Sequence, residues 1–455
     1  MEPLQTKAAD VDLNEIESSV FRALDRLAGP VGAPLGLAVS GGGDSVALLI
    51  LTHKWASRRQ RRIKVISVDH GLRPEAAGEC RFVAALCQRL GVAHQTRALG
   101  DLAPGASQAA ARAVRHHAFT QWANEQGVDR LALGHTLDDA LETLVMREAR
   151  GSGAETLATP MASFSPLWPE GRDLTLIRPL RNARRGALRA YLNQQGVIWV
   201  DDPSNESPQF ERVRARRALQ SDPDMAAAAR QRFGEAVTTA HTVRSRAREL
   251  LQDIDFTAEG AVHVNDAVRN DFNRADEAVR RCAADALVLA VSGQVGPAKA
   301  SALYGVVAAL CVGPARDHPT QTFGGCLLSR SSAGLSVSRD PGGVLGVADS
   351  ARGAAETQLD SEGYGVWDGR FEIRCSKARC GTVRPLGAFD RSQAVWAAIG
   401  RVSGLSAKTA ALQPIVIDAN DRPIAAPFTA WGAPCDHFFL GGRRIEQRLW
   451  SLWSL

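Results

Sequence analysis

The chain has 455 residues, 45% of them hydrophobic and 23% charged, which is the balance of an ordinary globular protein. The net charge is only +5, and no stretch is apolar for long enough to span a membrane, so a membrane-embedded role is set aside. The eight cysteines show no C-x-x-C pair and no zinc spacing; Cys375 and Cys380 form a metal half-site without a partner pair. The N-terminus lacks a basic then apolar leader, so a reducing cytoplasm is expected, and disulfides are not.

Leu13 to Leu27 predicts a short amphipathic helix within an extension over residues 1–33. Leu35 to Val39 reads as a buried strand. It runs into the turn Ser40-Gly41-Gly42-Gly43-Asp44-Ser45 and a helix beginning near Asp44. Glycines let the backbone gather several N–H groups into one concavity, and the helix N-terminus adds its positive end, so this segment is an anion cradle. It has no Lys and so is not a Walker A loop. Asp44 reads as a metal ligand or as the helix N-cap.

Ile63 to Asp69 is a second apolar strand, ending in Asp69-His70-Gly71. Helices follow over Glu75–Leu90 and Ser107–Gln126, the second capped by Ser107. Cys80 and Cys87, seven apart beside Val83 and Leu90, read as core. A third strand, Arg130 to His135, leads into Thr136-Leu-Asp-Asp139-Ala-Leu-Glu142-Thr143. Strands alternating with helices predict an α/β fold: a doubly wound, Rossmann-like parallel sheet covered on both faces. Ligands on such sheets lie outside the carboxyl ends of the strands, so Ser40–Ser45, Asp69-His70 and His135–Glu142 should converge on one crevice.

Residues 172–217 carry ten Arg against five acids, a basic stretch suited to phosphates and salt-dependent RNA affinity. The chain has 48 Arg and 6 Lys, so a general preference for Arg is the competing explanation. After Asp222-Pro223-Asp224, Met225 to Ile254 predicts a long polar helix. Helices then follow near Asp276–Leu289 and Ser301–Leu310, with strands near Phe323–Ser338 and a linker spanning Pro341–Gly343 and Asp349–Glu356. The last stretch predicts strands and turns with one helix near Gln393–Val402. The domains read as 34–217 catalytic, 222–345 helical and mixed, and 360–455 a small α+β module.

Ser40–Ser45, Val68-Asp-His-Gly-Leu72, Gly134-His135 with Asp138, Asp139, Glu142 and Thr143, and Arg150-Gly-Ser-Gly153 occur in a fixed order. Arg178-Pro-Leu180, Trp199 to Asn205 and Phe210 to Arg216 follow. In order and spacing the set resembles the tRNA(Ile)-lysidine synthetases, members of the PP-loop, N-type ATP pyrophosphatase superfamily. The chain departs from the family pattern at His116, where Tyr is usual, in Ala154–Thr159, and at Val213 and Ala215.

The resemblance implies an ATP-dependent ligase. It would join free L-lysine to carbon 2 of the wobble cytidine in an isoleucine tRNA with a CAU anticodon, through an adenylated tRNA, giving AMP and pyrophosphate. It implies ATP and Mg²⁺ as cofactors, with Asp44 on the metal and Ser40–Ser45 on the β and γ phosphates. Asp69 and His70 would meet adenosine, and Arg112 and Arg115 the α-phosphate. Asp139 and Glu142, three apart on one helix face, would clamp and deprotonate the lysine ammonium; in isolation such a pair is a solvated face. His135 would bond a phosphate or orient the carboxylates, or serve structure alone. Arg150, Arg212, Arg214 and Arg216 would reach phosphates of ATP or RNA. Arg384 and Gly441–Arg444 offer phosphate contacts in a C-terminal tRNA-binding module, where Trp450 and Trp453 read as packing. The alternatives are a sulfur-inserting tRNA enzyme, which needs reactive Cys at the site, and a non-catalytic RNA-binding relative. Oligomeric state stays open, a homodimer included.

Overall fold

A computed structural model describes residues 13–69, 76–99, 108–152, 157–158, 161–165, 174–201, 209, 211–294, 298–312, 320–331, 334–346, 354–391, 393–397, 405–429 and 431–449. His70, Ser107, Gly153–Thr156, Asp202–Asn205, Phe210, Trp450 and Trp453, singled out in the sequence, lie outside the described residues. The chain divides into two compact units that part between His241 and Thr242.

The first unit holds a six-stranded sheet in the order β3-β2-β1-β4-β6-β5. The strands are β1 (Leu35–Ala38), β2 (Ile63–Asp69), β3 (Ala93–Ala98), β4 (Arg130–Leu133), β5 (Ala162–Phe164) and β6 (Thr175–Ile177). All pairings are parallel except that of the edge strand β5, which runs antiparallel to β6. Leu35 registers with Ile63 on one side and Arg130 on the other, so β1 is central, and its Leu35 and Leu37 are fully buried. From β1 the chain builds outward through β2 and β3, then returns to β4 on the other flank. The strand order therefore reverses between β1 and β4, which opens a crevice at their carboxyl ends.

The helices of this unit are α1 (Leu13–Leu27), α2 (Gly43–Arg59), α3 (Ala76–Leu90), α4 (Gln108–Gln126), α5 (Leu137–Glu148), α6 (Arg185–Gln194) and α7 (Glu211–Ser221). Cys80 and Cys87 lie buried on α3, as their spacing predicts. The 28-residue α8 (Pro223–Leu250) lays Ala229, Phe233, Ala236, Val237 and Ala240 against Ala140, Leu141 and Leu144 of α5. The boundary between the units falls inside this helix.

In the second unit, β7 (Asp255–Phe256), β8 (Val262–Val264), β9 (Thr320–Phe323), β10 (Cys326–Ser331) and β11 (Gly334–Arg339) form an antiparallel sheet in the order β7-β8-β11-β10-β9. Its core is shared with α9 (Asp266–Arg274), α10 (Glu277–Ser292) and α11 (Ala300–Val312). Further on, β12 (Thr357–Gln358), β15 (Thr382–Pro385), β16 (Pro414–Ile417), β17 (Pro423–Ala426) and β18 (Trp431–Gly432) make a second sheet. A third sheet is made by β13 (Tyr364–Trp367), β14 (Phe371–Arg374) and β19 (Asp436–Phe439). Of the helix read near Gln393–Val402, the described residues include one turn at 394–397. The last helix, α12 (Gly441–Leu449), returns Ile445 and Leu449 to the core of β8, β10, β11 and α10. One compact unit thus takes in both stretches read from the sequence as middle and C-terminal modules. Among the described residues no helix is long and apolar enough to cross a membrane.

Candidate functional site

The crevice begins with the glycine turn after β1. Gly41 takes φ +93°, a conformation that side chains rarely tolerate, and its carbonyl accepts the Val200 N–H at 3.0 Å. Gly42, extended and without a side chain, is the N-cap of α2, so Asp44 sits in the first helical turn and does not cap it. Ser45 ties the turn together: its Oγ accepts the Ser40 N–H at 3.1 Å and donates to the Gly42 carbonyl at 2.9 Å. The first N–H groups of α2 have no side-chain cap, which leaves donors for an anion. At the end of β4, Gly134 packs so close that a Cβ there would lie 3.1 Å from the Ser45 backbone.

Across the crevice, Thr136 caps α5 in a capping box with Asp139. Asp139 Oδ2 accepts both the Thr136 N–H and its hydroxyl at 2.8 Å, leaving Oδ1 toward the crevice. One turn later Glu142 is 1% exposed. Three carboxylates are then joined by Arg185. Its Nε donates to Asp44 Oδ2, its Nη2 to Asp139 Oδ1 and its Nη1 to Glu142 Oε1, each at 3.0 Å. Its own backbone N–H is held by Asp138 Oδ2 at 2.7 Å. Arg212 Nε reaches Glu142 Oε2 at 2.9 Å, and Arg216 Nε reaches Oε1 at 2.7 Å. Asp139 and Glu142, read from the sequence as an ammonium clamp, are both paired with guanidiniums here: Asp139 with Arg185, and Glu142 with Arg185, Arg212 and Arg216.

Burial raises the Asp44 carboxyl above its ordinary range despite the Arg185 contact. At Asp139 burial acts in the same direction, but Arg185, Arg212 and the Thr136 N–H outweigh it and hold the carboxyl below that range. The Arg185 guanidinium is pushed further up, because burial is outweighed by Asp139, Asp44 and Glu142. Two histidines are held neutral. Burial, with Arg178 and other cations beside it, pushes His135 down to about 3, and Arg178 Nε lies 3.3 Å from its Nδ1. His116 is likewise pushed down to about 3 by burial and by Arg112 and Arg115, and its buried Nδ1 has no hydrogen-bond partner.

These groups surround a cavity of about 730 Å³. Ser40, Gly42, Gly43, Asp44, Ser45, Arg115, His135, Asp139, Arg212 and Arg216 line it, and Val39, Ile66, Val68, Phe119 and Leu133 give it an apolar floor. Glu142 stands behind its arginines. Gly41 shapes the loop without lining the cavity, Arg112 lies one turn from Arg115, and Asp69 ends β2 beside Val68. Arg150 and Arg214 are elsewhere: Arg150 pairs with Glu211, and Arg214 Nη1 donates to the Gln209 carbonyl at 2.9 Å. Helical geometry explains the last case, since residues two apart on α7 face different ways while Arg212 and Arg216 share a face.

Arg185, Arg189 and His116 line the cavity and were not assigned to it from sequence. One signal for Arg185 was present: a cation in the first turn of a helix opposes the macrodipole and calls for carboxylates nearby.

A model of the PP-loop domain matches residues 16–222. A tRNA(Ile)-lysidine synthase of Hyphomonas neptunium is 48% identical over 205 residues, which cover 45% of this chain and 54% of the relative. One from Zymomonas mobilis is 42% identical over 43% of this chain and 59% of its own. A third, from Ruegeria pomeroyi, is 34% identical over 365 residues, 78% of this chain and 80% of the relative. The chain belongs to the tRNA(Ile)-lysidine synthase family. The match spans little more than half the length of the first two relatives, and four fifths of the third. The PP-loop match supports ATP as the nucleotide of this crevice. Two of the family departures fall in it: His116 and Val213 both line the cavity. No cysteine is among its described lining residues, so the thiols that a sulfur-inserting enzyme needs are absent from them.

Proposed function

We propose that the chain catalyses ATP-dependent formation of lysidine: a C–N bond between the ε-nitrogen of free L-lysine and carbon 2 of the wobble cytidine in an isoleucine tRNA with a CAU anticodon. One observation carries this reading. The loop carboxylate Asp44, the helix carboxylate Asp139 and the guanidiniums of Arg115, Arg185, Arg212 and Arg216 all meet at one cavity beside uncapped helix N–H groups.

Cytosine carbon 2 is a poor electrophile until its oxygen becomes a leaving group. Attack of that oxygen on the α-phosphate of ATP forms the adenylate and releases pyrophosphate. Donors already in place at Ser40–Ser45 would meet the charge that gathers on pyrophosphate. Arg115, which lines the cavity with its buried Nε unpartnered, is proposed to counter charge at the α-phosphate. The apolar floor suits a base. Asp44 would hold Mg²⁺: its Oδ1 is buried and has no hydrogen-bond partner, which fits an ion bound through one carboxylate and substrate phosphates. Such an ion would neutralise phosphate oxygens.

The lysine ammonium, with a reference pKa of about 10.4, must be held and deprotonated. Asp139 Oδ1 is proposed to receive it, exchanging Arg185 for the ammonium. Glu142 is proposed to hold Arg212 and Arg216 in register for phosphates of ATP or RNA. A cytoplasmic location follows from this substrate.

The test is AMP release with purified protein, Mg·ATP, lysine and the CAU-anticodon tRNA, followed by nucleoside analysis. Lysidine should replace cytidine, and omitting lysine or tRNA should abolish AMP release. AMP release that needs neither would overturn the reading.

A further inference from the structure

In the small sheet of the second unit, β14 and β19 run antiparallel with Phe371 opposite Phe439 and Arg374 opposite Asp436. Continuing that register by one residue sets Cys375 directly opposite Cys435. The kind of pair is fixed by the other flank of β14. The Cys375 N–H donates to the Gly363 carbonyl at 2.8 Å, extending the β13 ladder. Its backbone groups therefore point toward β13, and the Cys375–Cys435 pair on the other side is of the non-hydrogen-bonded type. Such pairs have Cα atoms about 4.5 Å apart, with the side chains close. That separation lies within the span a disulfide accepts, roughly 4.4–6.8 Å.

Both side chains turn into the same core cluster with Trp367, Phe371 and Ile373. Cys375 Sγ lies 3.8 Å from the carbonyl of Pro434, the neighbour of Cys435. Both thiols are free. Among the described residues no group of three His, Cys, Asp or Glu could hold a metal, so the half-site read at Cys375 and Cys380 finds a partner thiol but not a metal centre. Burial, reinforced by Cys375, pushes the Cys435 thiol up, so its sulfur stays protonated at neutral pH and attack through it quickens as pH rises.

We propose that Cys375 and Cys435 are an oxidation site that closes a cross-strand disulfide when the protein meets a hydroperoxide. One sulfur attacks a peroxide oxygen, the O–O bond breaks, and a sulfenic acid forms as hydroxide leaves. The second sulfur then displaces hydroxide from that sulfenic acid, and the two thiol protons complete two waters. Two thiols and one hydrogen peroxide thus give one S–S bond and two waters. The bond would tie β19, and with it the start of α12, to β14.

Reduced full-length protein is treated with hydrogen peroxide, alkylated and mapped by mass spectrometry. The expected result is one peptide pair joining Cys375 to Cys435, lighter by two hydrogens and released by dithiothreitol, with Cys380 still alkylated as a free thiol. Cys375→Ser and Cys435→Ser should each lose this product while keeping the wild-type melting profile before oxidation. Should one variant fail to fold, the wild-type map alone decides. Joining of Cys380 to either thiol, or both Cys375 and Cys435 alkylated while other cysteines oxidise, would overturn the proposal.

Discussion

Arg185 Nε lies 3.0 Å from Asp44 Oδ2, so the phosphate loop after β1 is tied to the head of α6 by one ion pair across 141 residues of sequence. The other oxygen of Asp44 is buried and bare. Arg185 therefore fixes the orientation of the Asp44 carboxylate.

Asp44→Asn should lower AMP formation at least ~100-fold, since an ion at a phosphate is worth several kcal/mol of transition-state stabilisation. Affinity for tRNA should change less than about twofold. Because burial raises the Asp44 carboxyl, its proton competes with Mg²⁺ at a higher pH than at an ordinary carboxylate. The Mg²⁺ concentration for half-maximal activity should fall as pH rises through that range. Activity of Asp44→Asn near wild type would remove Asp44 from the metal.

Glu142→Gln and Asp139→Asn should fail differently. Glu142 faces Arg185, Arg212 and Arg216, and removing its buried charge weakens three charge-assisted hydrogen bonds, at a cost of roughly 1.5–3 kcal/mol in urea unfolding. Asp139→Asn should cost about 1 kcal/mol through its capping box. It should, however, let labelled AMP accumulate on tRNA, because lysine is no longer received. Equal loss of adenylation and lysine transfer in Asp139→Asn would point to an ATP role.

The crevice was legible because each of its walls begins at a strand end with its own local signal: glycines at Ser40–Ser45 and the cap at Thr136–Asp139. The edge strand β3 was not. Its sequence, Ala-His-Gln-Thr-Arg-Ala, has neither an apolar run nor alternation, and its pairing with β2 supplies what its side chains do not. Nor was the Arg185 hub, since nothing local joins positions 44, 139 and 185. The C-terminal arginines misled in the opposite way. A basic run reads as a surface, yet Arg444 is 4% exposed because its guanidinium serves backbone carbonyls.

Arg212→Ala and Arg214→Ala separate helix geometry from charge. Both remove one cation, but only Arg212 lines the cavity and touches Glu142. Arg212→Ala should reduce the kcat/KM for ATP by ten-fold or more, on the order of 1.4 kcal/mol, whereas Arg214→Ala should stay within about twofold. Matching losses would mean that general basicity, and not position on α7, sets the effect.

His116 gives a pH dependence of stability. Its folded value is about 3, while an unfolded histidine titrates near its ordinary 6.5. Between these values the unfolded chain binds the extra proton, so stability falls as pH drops from about 6.5 toward 3, by up to roughly 1.4 kcal/mol per pH unit for this residue. His135 adds a slope of the same sign. Urea unfolding of the wild type and His116→Phe at pH 7 and pH 5 measures it. The variant, whose ring keeps the packing beside Phe119, should lose less on acidification. Identical losses would show that His116 accepts its proton in the folded state.

The second unit calls for point variants, because a cut near residue 354 would strip Ile445 and Leu449 from its main core. Arg444 Nη1 donates to the Gly369 carbonyl at 2.6 Å, and its Nη2 to the carbonyl of Gln294. Arg444→Ala leaves both carbonyls without their charged donor and should destabilise the protein by about 2–4 kcal/mol, read as a lower melting temperature. The folded fraction should bind tRNA as the wild type does. Arg443 is 56% exposed beside Glu372 and is the contrasting test. Arg443→Ala should melt normally but bind tRNA more weakly, with the slope of log affinity against log salt shallower by about one. If Arg444→Ala melts as the wild type and yet loses tRNA affinity, the guanidinium serves RNA and not the Gly369 and Gln294 carbonyls.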